Sequence, residues 1–144
     1  MFTTRKNSKG GFTLVELMVV AIIVAILAAV AIPLMSGNKK RAMATEAESA
    51  LGTLRTQLRV MYAETGTYAT NNNGQTVTTV WQIPGVNQTD LAGKYWVTNA
   101  FTFVTAPSNT TYQLQAAFVT GCDPALSGVT IKLDQDGAFN RTGL

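Results

Sequence analysis

Histidine is absent from this 144-residue sequence, and cysteine occurs once, at Cys122. The first absence removes the commonest general base and the commonest metal ligand. The second excludes an intrachain disulfide, so Cys122 reads as a small buried side chain that carries no information about redox compartment. No Gly-rich phosphate cradle and no nucleophile-and-base arrangement is recognisable, and an enzyme is not expected. A concentrated basic surface is missing as well. The formal charge is +3, but Arg5, Lys6 and Lys9 supply that excess; without them Lys+Arg and Asp+Glu are eight each. Phosphate binding needs dense cationic surface, so nucleic acid is not the expected main partner.

What is present is a two-part chain. Leu17 to Met35 holds 19 residues without a formal charge, whereas the remainder is polar, Thr- and Asn-rich globular sequence. As a helix, 19 residues span about 28 Å, close to the hydrocarbon thickness of a bilayer. Val, Ile, Leu and Ala occupy every face of that helix, which rules out one amphipathic element on a soluble surface. Three basic residues flank each side, Arg5, Lys6 and Lys9 before and Lys39, Lys40 and Arg41 after, so the positive-inside count is tied. The second cluster would face lipid headgroups or acidic neighbours.

Met1 to Gly11 is short, polar and basic, ends in Gly10-Gly11, and leads at once into Phe12-Thr13-Leu14-Val15-Glu16-Leu17. A secretory signal would instead be cut after the apolar run, where Ala29-Val30-Ala31 offers a small-x-small pattern; an unprocessed anchor is the third option. Glu16 is an ionisable group at the edge of an apolar helix and needs water or a partner. Cleavage after Gly11 would create an α-amino group on Phe12, either four residues away within one helix or on a neighbouring helix. The second pairing would set the axial register between subunits.

The run Lys9-Gly10-Gly11-Phe12-Thr13-Leu14-Val15-Glu16-Leu17-Met18 resembles the processing and assembly motif of type IV prepilins and type II secretion pseudopilins. The resemblance implies a peptidase cut between Gly11 and Phe12, methylation of Phe12, and neutralisation of a neighbouring Phe12 amine by Glu16. It also implies a prepilin peptidase, an assembly platform and a motor ATPase as partners, and a homo-oligomeric helical filament. The precursor would sit in the bacterial inner membrane with its leader cytoplasmic and its head periplasmic. A cell-surface pilus or periplasmic pseudopilus would follow assembly. The strong likeness covers residues 9 to about 65.

The expected domains are a leader over 1–11, a transmembrane and assembly helix over 12–36, an amphipathic helix over 37–66 and a β-sheet head over 67–144. Pro33 cannot donate to the carbonyl of Ala29, and Gly37 follows, so a helix break or loosening is expected between them. Ala47, Leu51, Leu54, Leu58, Met61 and Tyr62 form one apolar stripe, and Thr65-Gly66 supplies a stop. Strands are expected at Val77 to Ile83, Tyr95 to Val104, Thr111 to Val119 and Val129 to Leu133, with Tyr112, Leu114, Ala116 and Phe118 alternating. The fold class is α+β: a long N-terminal helix, apolar then amphipathic, packed on an antiparallel β-meander.

Asp134 and Asp136 flank Gln135 before Gly137 and could share a cation, though Asp-Gly is a hairpin signal by itself. Some secretion pseudopilins bind calcium in this part of the chain; no other cofactor is expected. The sequons at Asn87, Asn109 and Asn140 are uninformative in a bacterial setting. The leading reading is a type IV pilus subunit, with a type II secretion pseudopilin as the alternative and a minor DNA- or surface-binding tip subunit as the third. Lack of a cysteine pair departs from the disulfide-bounded loop of many major pilins and adds weight to the alternative.

Overall fold

A computed structural model describes residues 11–144. The chain divides into two compact units, one ending at Ser36 and the other running from Gly37 to Leu144. Helix α1, Leu14–Thr65, contributes to both. Its assignment is continuous through Pro33 and Gly37, so the expected loosening does not appear as an interruption of the helix. Proline removes a single intrahelical bond there. The Ser36 hydroxyl donates to the Pro33 carbonyl at 2.9 Å, competing with the backbone for that acceptor.

In the first unit, every large apolar side chain from Phe12 to Met35 is at least half exposed. In the second, residues 37–65 present Met43, Ala44, Ala47, Leu51, Leu54, Leu58 and Met61 to the core, all at 1% exposure or less. These spacings of one, three and four are what a single buried helical face requires. Tyr62 departs from the expected stripe. It remains exposed and stacks on Tyr68, with ring centroids 4.5 Å apart. The helix stops as expected: Gly66 takes φ 74° and its N–H donates to the Tyr62 carbonyl at 2.8 Å.

The sheet is an antiparallel meander in the order β1 (Phe101–Thr105), β2 (Gln113–Ala117), β3 (Thr130–Asp134) and β4 (Phe139–Thr142). Registers align Phe103, Leu114, Leu133 and Phe139 in one row, and Phe101, Ala116, Ile131 and Arg141 in the next. Phe101, Leu114, Ala116, Ile131 and Leu133 join the helical face in one hydrophobic core. The α+β class is therefore as read from the sequence.

Strand membership is not. Val77 to Ile83 is no strand: after an isolated Thr70–Thr76 bridge it forms a 3-10 turn at Val80–Gln82. Gln82 Oε1 accepts from the Thr78 and Thr79 N–H groups at 2.7 and 2.9 Å, folding the segment onto itself. Tyr95 to Val104 yields a strand only from Phe101, because the Tyr95 and Trp96 N–H groups are taken by a side chain on α1 and a 3-10 turn occupies Thr98–Ala100. Phe118 lies beyond β2 and is 36% exposed. The unforeseen strand, β4, has the sequence Phe-Asn-Arg-Thr, whose apolar signal is a single residue.

Candidate assembly site

Of the expected leader, only Gly11 falls among the described residues; 1–10 lie outside them. Among the described residues, no atom lies within 4 Å of where a Gly11 Cβ would sit, so glycine is not imposed there by packing within the chain. Phe12 is 80% exposed. Thr13 then precedes the helix, and Glu16 is its third residue. The Thr13 N–H donates to Glu16 Oε2 at 2.8 Å and the Thr13 hydroxyl to the same oxygen at 2.7 Å, while the Glu16 N–H approaches Thr13 Oγ1 at 3.3 Å. This is a capping box, the T-x-x-E pattern that satisfies orphan donors at a helix start. Sequence reasoning treated Glu16 as a charge that needs water or a partner cation, although Thr13-Leu14-Val15-Glu16 carried the capping signal in full.

The box shapes what Glu16 can do. One carboxylate oxygen is held beside its own helix, which fixes the side chain at the helix start; Oε1 has no hydrogen bond among the described residues. Behind it, the apolar residues to Met35 expose their side chains on every face, and none of the most apolar 18-residue window is buried. A surface of that kind is stable only against lipid or against other apolar helices.

In the second unit, two glutamates of α1 organise the head. Glu46 accepts from the Lys94, Tyr95 and Trp96 N–H groups at 3.1, 3.0 and 3.0 Å. One turn earlier the Met43 carbonyl accepts from the Trp96 indole at 2.9 Å. Gly93 is needed for this approach, since a Cβ there would collide with the Glu46 carboxylate. Glu48 receives both Nε and Nη2 of Arg141, the latter at 3.0 Å, and thereby ties the edge strand β4 to α1. The register places Arg141 in the helix-facing row, and its bond to Glu48 holds its proton more tightly than usual. Neither clamp was visible in the sequence, because each joins residues 48 to 93 positions apart.

The two cation candidates do not converge. Asp134 Oδ1 accepts from the Ala138 N–H at 3.0 Å, and the Gly137 N–H donates to the Asp134 carbonyl at 3.0 Å, making the turn between β3 and β4. Arg55 Nη2 donates to the Gln135 carbonyl at 3.1 Å, so a guanidinium already lies against this turn. Among the described residues no group of three or more His, Cys, Asp or Glu side chains could hold a metal ion.

Residues 6–32 match the family model described as the prokaryotic N-terminal methylation motif. The motif and the relatives given next support placing the N-terminal region with pilins and pseudopilins, and α1 contains a segment long and apolar enough to cross a membrane, as an inner-membrane precursor requires. The chain is 36% identical over 70 residues to the type II secretion system core protein G of Klebsiella michiganensis, covering 49% of each chain. It is 36% identical over 70 residues to that of Aeromonas hydrophila, again 49% of each, and 38% identical over 64 residues to that of Dickeya chrysanthemi, 44% of this chain and 42% of the relative. The chain thus spans about half the length of the curated relatives it matches. No solved structure matches it.

Proposed function

We propose that this protein is a pseudopilin of a type II secretion system, polymerised through its N-terminal helix into a short periplasmic filament. The observation that carries the reading is the similarity to core protein G, which favours it over the type IV pilus subunit that was the leading expectation from sequence. The single cysteine supports the same choice, because no disulfide can bound a C-terminal loop. On this reading residues 1–11 are a cytoplasmic leader, 12–36 the assembly helix, 37–66 and 67–144 the periplasmic head. A prepilin peptidase cuts between Gly11 and Phe12 and methylates Phe12. Glu16 pairs with the Phe12 amine of a neighbouring copy through Oε1, the oxygen that Thr13 does not engage. Pro33 and Gly37 mark where the helix opens during assembly. The assembly platform and motor ATPase follow from the family.

The filament forms because the exposed apolar helix exchanges lipid contacts for contacts with other copies. That exchange is nearly neutral in burial, so packing and the Glu16 pairing decide its direction. The test is intact mass and N-terminal sequence of the protein from membrane, periplasmic and sheared surface fractions. A chain beginning at methylated Phe12 and retained with the cell supports the proposal. The same chain enriched in sheared filaments would return the reading to a type IV pilus, and a chain beginning after Ala31 would end both.

A further inference from the structure

Three of the four tyrosines meet in one cluster where α1 ends. Tyr62 lies in the last turn of the helix, and Tyr68 follows six positions later. Gly66, at φ 74°, reverses the chain between them. The Thr65 hydroxyl braces that reversal, 2.8 Å from the Met61 carbonyl oxygen and 2.9 Å from that of Thr67. The Tyr68 N–H donates to the Asn109 carbonyl at 3.3 Å, which fixes the second ring from outside the helix. The two rings then stack, with centroids 4.5 Å apart and 30° between their planes. Tyr68 also meets Tyr112 edge-on, at 4.8 Å and 72°. Exposure falls along the series, from the exposed Tyr62 through the half-buried Tyr68 to the buried Tyr112.

We infer that Tyr62 and Tyr68 form a site of oxidative cross-linking, joined as dityrosine by a one-electron oxidant of the peroxidase class. Each phenol gives up one electron and its hydroxyl proton. The two phenoxyl radicals form one carbon–carbon bond between ring positions ortho to oxygen, and the hydrogens displaced from those carbons return as the phenolic O–H groups. Hydrogen peroxide takes up both electrons and both protons and leaves as two molecules of water.

The fold selects this pair. Tyr112 does not compete, because its hydroxyl is buried without an acceptor among the described residues and the proton that oxidation must release has nowhere to go. Tyr95 has no tyrosine stacked on it; the group over its ring is the Lys94 ammonium, 5.3 Å from the centroid. Cys122 is a readier one-electron donor, but it is buried. Two groups on a short flexible linker already meet at an effective concentration of about millimolar, and a fixed stack raises it further. In micromolar chain, coupling within the chain therefore outruns coupling between chains by about a thousandfold or more. The new bond closes a ring around the Gly66 stop and ties the last turn of α1 to the segment that leaves it.

The test treats the detergent-solubilised full chain, at micromolar concentration, with a haem peroxidase and hydrogen peroxide, followed by mass spectrometry of the tryptic peptides. Residues 60–94 make one such peptide, which holds Tyr62 and Tyr68 without Tyr95 or Tyr112. In monomeric chain it should lose the mass of two hydrogens, and further cleavage after Glu64 should leave its two parts joined. Tyr62→Phe and Tyr68→Phe should each abolish the product, whereas Tyr95→Phe and Tyr112→Phe should leave it. Combining Tyr62→Phe with Ala63→Tyr keeps a tyrosine on nearly the same linker at an exposed position but turns it about 100° round the helix. That variant should lower the yield about tenfold or more, since the linker alone then supplies the encounter. Oxidation of Trp81 in the same peptide adds oxygen, so its mass change is distinct and shows that the oxidant has acted. An oxidised Trp81 with no loss of hydrogen overturns the inference. So does a bond from Tyr68 to Tyr112, a product formed mainly between chains, or an undiminished yield from the displaced tyrosine.

Discussion

At the scale of single residues, the head depends on polar groups that its amino-acid pattern does not advertise. Glu46 satisfies three backbone donors of a segment that otherwise has no ladder to join. Glu46→Ala leaves two part-buried N–H groups without an acceptor, and each such group costs about 1–3 kcal/mol. The expected loss is about 2–4 kcal/mol, read as a lower midpoint in denaturant unfolding of the detergent-solubilised chain, with Glu46→Gln recovering part of it. A midpoint unchanged by Glu46→Ala would show that the segment is held by Trp96 alone.

Tyr112 is the opposite case. Among the described residues its hydroxyl is buried with no hydrogen-bond partner, and desolvation pushes the phenol up to about 12, with Tyr68 adding to the shift and Arg55 and Arg59 opposing it. The folded state therefore keeps the proton through the range where an unfolded tyrosine, near pH 10, has lost it. Its contribution is complete below about pH 10 and disappears as the pH rises to about 12. Tyr112→Phe removes a polar atom that gains nothing from burial and should stabilise the head by about 1 kcal/mol. It should also remove the late phenolate step from an ultraviolet pH titration; persistence of that step in the variant would assign it elsewhere.

At the scale of elements, the turn between β3 and β4 decides the standing of Asp134 and Asp136. Bivalent cations in such turns offset carboxylates that would otherwise repel. Here Arg55 of α1 donates to Gln135, and its guanidinium lies where a Cβ on Gly137 would come within 3.0 Å. A chelator should therefore leave the melting temperature unchanged, whereas Arg55→Ala should lower it; a chelator-sensitive melt reversed by calcium would contradict this account.

The same contrast explains what was legible in the sequence. Elements specified by their own periodicity were readable: the buried face from Ala47 to Met61, the Gly66 stop, and the cores of β2 and β3. Elements specified by distant partners were not. Val77 to Ile83 has strand composition, but Gln82 captures its donors; Phe139 to Thr142 has little, but Glu48 and the β3 register hold it in the sheet. At the candidate site, Glu16 was legible as an anomaly of charge, and its partner Thr13 was overlooked because a capping box satisfies hydrogen bonds rather than charge.

At the scale of the whole molecule, the first unit has no stable existence as an isolated soluble body. Burying one Leu, Ile or Val side chain is worth about 1.5–3 kcal/mol, and the stretch from Leu14 to Met35 exposes more than a dozen. Water is therefore excluded as its lasting environment, and the choice lies between lipid and other apolar helices, which on the proposed function are those of other copies. Since apolar burial is similar in both, a small polar term can decide, and Glu16 is the ionisable group available within that stretch. Glu16→Ala removes the carboxylate from both the Thr13 cap and the proposed pairing, whereas Thr13→Val removes the side-chain half of the cap and keeps the charge. If the charge governs assembly, Glu16→Ala should give processed chain that stays in the membrane, with filaments reduced at least about tenfold, as the loss of about 1.4 kcal/mol per subunit contact would produce. Thr13→Val should then assemble nearly as the parent does. Equal defects in the two variants, measured as the filament-to-membrane ratio of mature chain, would assign the role to the cap and withdraw it from the intersubunit pair.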